Sequence, residues 1–376
     1  MKIGITCYPT YGGSGVVATE LGKELAARGH QVHFISYALP FRLDGFQENI
    51  IFHEVELPDY PLFEVDLYSL SLTSKMVDVV MYDDLDILHV HYAIPHATSA
   101  WNAKQILNES GRDIKIITTL HGTDITLIGL DPTLLPLVRF SIEKSDGVTA
   151  VSRHLREKTL TNFNLDREIE VIPNFVNTDV WKPVDSKNLR CRFAPNDEKV
   201  FVHASNFRPV KRVVDVIAVF ARVRKEIEAK LVMVGDGPDR AEAERMSREL
   251  GIADDVTFLG KQNGLVEIFS ACDIFLMPSQ NESFGLSALE AMACGLPVLS
   301  TSVGGLSELN MHGTTGYISE IGDIDRMARY AIELCKDERR YARFSAAAQE
   351  RAETQFSSRD IVPAYEAYYE RILHGS

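Results

Sequence analysis

Two glutamates, Glu282 and Glu290, stand with seven residues between them and enclose Ser283-Phe284-Gly285-Leu286. A loop of this kind running into a helix presents backbone N–H groups at the helix start, where their partial positive charge seats a phosphate. The pattern places Glu282 in the loop and Glu290 about two turns inside the helix. One carboxylate is then free to hold ribose hydroxyls and the other a sugar. The competing reading is a helix-capping acid and an unrelated surface glutamate. It fits poorly, because the following Ala291-Met292-Ala293-Cys294-Gly295-Leu296-Pro297-Val298 is apolar and must be buried over much of its face.

A second cluster is Ser205-Asn206-Phe207-Arg208-Pro209-Val210-Lys211-Arg212, which follows a strand and opens a helix. Three cations at a helix start oppose its dipole, so they do little for stability. They suit the neutralisation of a diphosphate, although a solvated basic turn is the plainer alternative. Gly235-Asp236-Gly237-Pro238 ends the next strand and reads as a tight turn beside the same site, with turn chemistry alone equally able to explain it. Lys261, in Leu259-Gly260-Lys261-Gln262, ends another strand, where exposed backbone could read a base edge.

In the first half, Gly12-Gly13-Ser14-Gly15-Val16-Val17-Ala18 lies between a strand and a helical stretch. Gly13, Ser14 and Gly15 could bring backbone amides to an anion; a tight turn without a ligand is the alternative. Gly13-x-Gly15-x-x-Ala18 also matches a dinucleotide fingerprint, which expects an acidic residue at the end of the second strand. That region reads His33-Phe34-Ile35-Ser36-Tyr37, with no carboxylate before Asp44, so NAD is disfavoured. His89-Val90-His91-Tyr92 and Leu120-His121-Gly122-Thr123-Asp124 each end a strand. No complementary ligand set follows His89-x-His91, so a metal is not expected. His89 reads as a satisfied core histidine, whereas His121 and Tyr92 read as groups that touch a substrate.

These loops must be carried by something, and the chain alternates short β-branched runs with longer amphipathic stretches, the pattern of βαβ units around parallel sheets. Strands are expected near residues 3–7, 32–36, 50–55, 87–90, 114–120, 148–151 and 170–172. A second series follows near 200–204, 230–234, 256–259, 274–277, 298–300 and 316–318. The seam falls at Ile172-Pro173-Asn174-Phe175-Val176-Asn177. Expected domains are therefore 1–172 and 173–357, each an α/β Rossmann-like unit, facing each other across a cleft. Ligands in such sheets bind at the carboxyl ends of the strands, which is where every motif above lies.

With 376 residues, 45% hydrophobic and 24% charged, the chain has the composition of a soluble two-domain protein. Its net charge of −14 repels a phosphate backbone and argues against nucleic acid, though not against one nucleotide. The N-terminus runs into the apolar Ile3-Gly4-Ile5-Thr6-Cys7 without a signal-peptide pattern, and no run is long enough to span a membrane, so a cytoplasmic protein is expected. Five scattered cysteines, with no Cys-x-x-Cys, point to reduced thiols rather than disulfides or zinc. Oligomeric state is not fixed by the sequence, and a homodimer is compatible with it.

The combination of Glu282, Ser283-Phe284-Gly285-Leu286 and Glu290 with the Asn206-to-Lys211 loop, the glycine-rich first loop and the His121 motif resembles retaining glycosyltransferases of family 4, which have the GT-B fold. The motifs span most of the chain. Gly12-Gly13-Ser14-Gly15-Val16-Val17, His89-Val90-His91-Tyr92-Ala93-Ile94-Pro95-His96 and Ser205-Asn206-Phe207-Arg208-Pro209-Val210-Lys211-Arg212 are similar, more narrowly, to the bacillithiol-pathway branch that joins N-acetylglucosamine to L-malate. The resemblance implies UDP-GlcNAc as donor, retention of the α configuration and no metal or other cofactor. It implies Lys211 on the diphosphate, Glu290 on the ribose, Glu282 on the sugar hydroxyls and His121 near the reacting sugar. Many relatives carry an arginine where this chain has Asn206, and Arg208 could supply that charge. The leaving phosphate would help to take the acceptor proton, with Arg208 and Lys211 stabilising its charge. A dicarboxylate acceptor would draw on Ser14, Tyr92, Thr123 and Arg139. The resemblance also implies that a C-terminal helix, about 358–376, returns to the first domain. Two readings stay open beside this one: a related transferase acting on inositol phosphate or a lipid-linked sugar, and a nucleotide-sugar-binding regulator without catalysis.

Overall fold

The computed structural model describes residues 1–10, 12–57 and 67–375. The chain divides into two compact units, one of residues 1–173 with 360–376 and the other of residues 174–359.

The first unit is built on a seven-stranded sheet of β1 (Lys2–Thr6), β2 (Gln31–Ser36), β3 (Ile50–Glu54), β4 (Ile87–His91), β5 (Lys115–Leu120), β6 (Gly147–Ala150) and β7 (Glu170–Val171), in the order β3-β2-β1-β4-β5-β6-β7. The second carries a six-stranded sheet of β8 (Lys199–Ala204), β9 (Ala229–Val234), β10 (Val256–Gly260), β11 (Ile274–Met277), β12 (Val298–Thr301) and β13 (Gly316–Ser319), in the order β10-β9-β8-β11-β12-β13. Every strand pair in both sheets is parallel. Each run expected to be a strand is one, and two Rossmann-like α/β units result.

Helices cover the sheets, so the inner strands are buried along almost their whole length on both faces. In the first unit Leu72, Met76, Val79 and Val80 of the helix Tyr68–Asp83 pack with Ala100, Ala103 and Leu107 of the helix Thr98–Glu109 and with Ile35, Leu88 and Val90 of the sheet. In the second, Val216, Ile217 and Phe220 of the helix Val213–Arg224 fill the space over Phe201, Leu231 and Met233. Phe220 is wholly buried, and truncating it to alanine would cost about 3–5 kcal/mol.

The last helix, Ser358–His374, returns to the first unit. Tyr365, Tyr368 and Tyr369 are buried there; the Tyr369 hydroxyl lies 2.7 Å from His89 Nδ1, and the Tyr368 hydroxyl donates to the Val148 carbonyl at 3.1 Å. All five cysteines are free thiols. Among the described residues no helix is long and apolar enough to cross a membrane.

Candidate active site

In both sheets the strand order reverses beside the first strand of the unit, between β1 and β4 and between β8 and β11. Adjacent connections there leave the sheet in opposite directions, and the crevice that opens at the strand ends is where such folds hold ligands.

At the second switch point the loop after β8 meets the loop after β11. Lys211 Nζ donates to Glu282 Oε1 at 2.6 Å, and Ser279 Oγ donates to the same oxygen at 2.9 Å. The Gln280 amide donates to the Val210 carbonyl at 2.8 Å, tying the loops by their backbones as well. Glu282 is 8% exposed, so its charge is held by these two donors rather than by water. The shape of the first loop is set from below. His203 Nδ1 donates to the Leu276 carbonyl, which leaves Nε2 to accept from Ser205 Oγ, and that oxygen accepts from the Phe207 amide. Burial lowers the His203 pKa to about 4, so the imidazole stays neutral. Asn206 Oδ1 is buried with no hydrogen-bond partner among the described residues.

Arg212 does not join the anion seat. It caps the helix Val213–Arg224 with φ of 51°, and its Nε donates to Asp215 Oδ2 at 2.6 Å in the first turn. The expected conflict of three cations with one helix dipole is thereby relieved at Arg212. Arg208 is exposed and forms no ion pair among the described residues, which leaves it and Lys211 as the cations for a ligand. Lys261 lies exposed just beyond β10.

Glu290 is the fifth residue of the helix Leu286–Ala293, just over one turn inside rather than two, because the helix starts only at Leu286. It is buried, at 3% exposure. Phe284 is buried against the ring of Phe356 at 5.5 Å, so only its backbone can face a ligand. Gly285 caps the helix with φ of 99°, and a Cβ there would lie 2.5 Å from the side chain of Leu306. Gly304 and Gly305, which the motif analysis did not include, close the seat. Cβ atoms on them would lie 1.9 Å from the Glu282 carbonyl and 2.2 Å from that of Ser283, while the Gly305 amide donates to the Glu282 carbonyl. Gly235 and Gly237 press in the same way on the Ser205 and Asn206 carbonyls, so that turn shapes the site by contact.

The first switch point gathers Gly13, Ser14 and Gly15 after β1 with Tyr92 after β4. The helix begins at Gly13, where a Cβ would meet open space, while Gly15 is held against the Tyr8 carbonyl. Tyr92 has φ of 94°, a conformation costing about 1–3 kcal/mol, and its ring packs 5.5 Å from those of Tyr8 and His121. His121 Nε2 lies 2.7 Å from His91 Nδ1, and burial drops the His121 pKa to about 3, with His96 lowering it further. His89 is satisfied on both nitrogens, by Tyr369 and by Thr119, as a core histidine should be. Thr123 starts the short helix Thr123–Thr126. Next to it Asp124, passed over earlier, accepts from the amides of Ala93 at 2.8 Å and Gly122 at 3.2 Å. It thus joins the Tyr92 and His121 loops. Burial raises its pKa to about 6.

Arg139 is accounted for differently. It is exposed on the helix Leu135–Lys144, and its Nε donates to Glu143 at 2.9 Å in an i,i+4 surface pair. Arg153 instead opens the helix Arg153–Phe163, three residues after the end of β6 and beside the cap Ser152.

Two parallel α/β units, each with a crevice at its switch point, make a two-domain Rossmann-like architecture suited to a nucleotide-bearing ligand. Residues 11–180 match the family described as Glycosyltransferase Family 4, and residues 186–351 match Glycosyl transferases group 1. The chain is 49% identical over 374 residues to N-acetyl-alpha-D-glucosaminyl L-malate synthase of Bacillus anthracis, covering 99% of this chain and 97% of that protein. It is 31% identical to D-inositol 3-phosphate glycosyltransferase of Stackebrandtia nassauensis over 71% of this chain and 64% of that one. The chain belongs to glycosyltransferase family 4, with the GT-B fold. Among solved structures, sucrose-phosphate synthase from Thermosynechococcus elongatus superposes with a TM-score of 0.81 at 22% identity, covering all of both chains. Anabaena HepE in complex with UDP and glucose does so at 0.81 and 21%, covering 98% and 99%. At those identities the likeness speaks for the fold.

Proposed function

We propose that this enzyme transfers N-acetylglucosamine from UDP-GlcNAc to the hydroxyl of L-malate with retention of configuration, the reaction that opens bacillithiol biosynthesis. The observation that carries the reading is the 49% identity along 99% of the chain to a protein named for that product. The geometry supports a donor held by the second unit. The Ser283–Leu286 amides and the cations Arg208 and Lys211 take the diphosphate, Glu290 the ribose, and Glu282 the sugar hydroxyls. Asn206 supplies an acceptor where its buried Oδ1 is left over. Gly13 to Gly15 offer further amides to the donor. In the first unit His121 lies near the reacting sugar, and Ser14, Tyr92 and Thr123 hold the acceptor. Arg153 replaces Arg139 as the cation facing a carboxylate.

Transfer then proceeds on one face of the sugar. As the anomeric C–O bond to UDP breaks, charge grows on the leaving phosphate, which Arg208, Lys211 and the amides stabilise. That phosphate takes the proton of the malate hydroxyl while the hydroxyl oxygen bonds to the anomeric carbon. No metal is required in this scheme, because the cations and amides carry the charge. The protein works in the cytosol, where both small-molecule substrates are found. The deciding experiment is a mass-spectrometric assay with UDP-GlcNAc and a panel of acceptors: L-malate, inositol phosphate and a lipid-linked sugar. A GlcNAc–malate product is expected. Product only with another acceptor would replace this reading with that of a sister transferase.

A further inference from the structure

We propose that His33, His53 and Asp83 form a binding site for a zinc-class divalent cation on the first unit, separate from the transfer chemistry. In the parallel pair β2–β3, His33 stands opposite Ile51 and Ile35 opposite His53. The two histidines therefore project from one face of the sheet, diagonal to each other. The helix Tyr68–Asp83 covers that face, with Leu72, Met76, Val79 and Val80 clustered with Ile35, and its last residue delivers Asp83.

The three ligand atoms converge. His33 Nδ1 lies 2.9 Å from His53 Nε2, and Asp83 Oδ2 lies 3.8 Å from the first and 3.7 Å from the second. Ligands bound about 2.0–2.2 Å from a zinc ion are themselves roughly 3–4 Å apart, which is this spacing. Two ring nitrogens facing each other at 2.9 Å need a hydrogen between them. A cation takes the place of that hydrogen, with His53 then carrying its own on Nδ1. Two imidazoles and one carboxylate favour zinc-like metals over calcium or magnesium, which want oxygen.

His33 is buried, while His53 and Asp83 keep side-chain exposures of 20% and 33%, which opens a path for an ion and leaves room for water as a fourth ligand. Lys2, whose Nζ donates to the Asp83 carbonyl, and Lys75 add positive charge nearby. Affinity must therefore come from the two imidazoles rather than from the surrounding field. The site would clip β3, an edge strand, to the end of a helix.

The test uses the full chain after dialysis against a chelator. Zn²⁺ is titrated by calorimetry and Co²⁺ by visible absorption, alongside the double variant His53→Ala/Asp83→Asn. One Zn²⁺ per chain, d–d bands from bound Co²⁺ and a raised thermal midpoint are expected, all lost in the variant. Asp83→Asn alone, at a partly exposed helix end, serves if the double variant unfolds, and it should weaken Zn²⁺ at least about tenfold. Absence of stoichiometric binding would mean a hydrogen-bonded trio that holds no ion. Equal binding by the variants would place the ion elsewhere. Either result overturns the proposal.

Discussion

Lys211 and Glu282 meet at 2.6 Å although one follows β8 and the other β11, so the pair bridges the loops on either side of a switch point. The ammonium is positioned by the acid before any donor arrives. Lys211→Ala should lower kcat by about 10²–10³-fold, the usual loss when one group stabilising a leaving charge is removed. The KM for malate should change far less. Steady-state kinetics of UDP release, varying each substrate in turn, separates the two. A variant with unaltered kcat would remove Lys211 from the leaving-group role.

Glu290 is assigned to the ribose hydroxyls. Glu290→Gln keeps the volume and one acceptor but removes the charge, so the buried helix should stay folded. Hydrogen bonds to a charged group contribute about 1.5–3 kcal/mol, hence UDP should bind about 10–100-fold more weakly by calorimetry. Wild-type affinity would argue that the carboxylate serves the fold alone.

The two arginines of the first unit give opposite expectations. Arg139 sits in an exposed pair with Glu143, and such pairs contribute about 0.3–0.5 kcal/mol, so Arg139→Ala should leave the malate KM within about twofold. Arg153→Ala, at the start of the helix that follows β6, should raise it at least tenfold while sparing the KM for UDP-GlcNAc. If Arg139 proves the sensitive residue, the acceptor lies against a different part of the first unit.

That contrast marks how far the sequence could be read. The strands were legible because apolar runs bounded by turns are local signals, and the motifs at their ends followed from the rule for parallel sheets. The places of Asn206, Lys211 and Glu282 in loops after strands were legible, because turn-forming residues follow each apolar run. Gly304 and Gly305 were not, since their role is to let one backbone touch the Glu282 and Ser283 carbonyls from twenty residues away. Asp124 was passed over for a similar reason: only the fold brings the Ala93 amide to its carboxylate. The face of an arginine on an amphipathic helix is set by neighbours far away in the chain, so the exposure of Arg139 was not legible.

Transfer itself should survive chelation. With Arg208, Lys211 and helix-start amides to hold the diphosphate, EDTA should change the initial rate by less than about twofold when assayed well below the unfolding transition. Loss of any cation from His33, His53 and Asp83 would show as a lower thermal midpoint instead. A rate that collapses in EDTA and returns with Mg²⁺ or Mn²⁺ would demand a metal-bridged diphosphate.

The buried histidines make stability depend on pH with a definite sign. Burial lowers the pKa of His89 and His121 to about 3 and of His96 and His203 to about 4, and pushes His91 well down. Unfolded, each titrates near 6.5. Below that pH the unfolded chain binds protons that the folded chain refuses, so each group's contribution is complete above about 6.5 and is withdrawn as pH falls toward its folded value. Asp124 acts the other way. Its folded pKa of about 6 lies above the usual carboxylate value, so this one group favours the fold as pH drops from 6 toward 4. Five histidines outweigh one aspartate, at on the order of 1 kcal/mol per histidine for each pH unit. The urea midpoint should therefore be level from pH 8 to 7 and decline steeply from 6.5 to 4.5. A midpoint that stays level through pH 5 would mean that these imidazoles take up protons while folded, and the neutral His91–His121 contact would have to be abandoned.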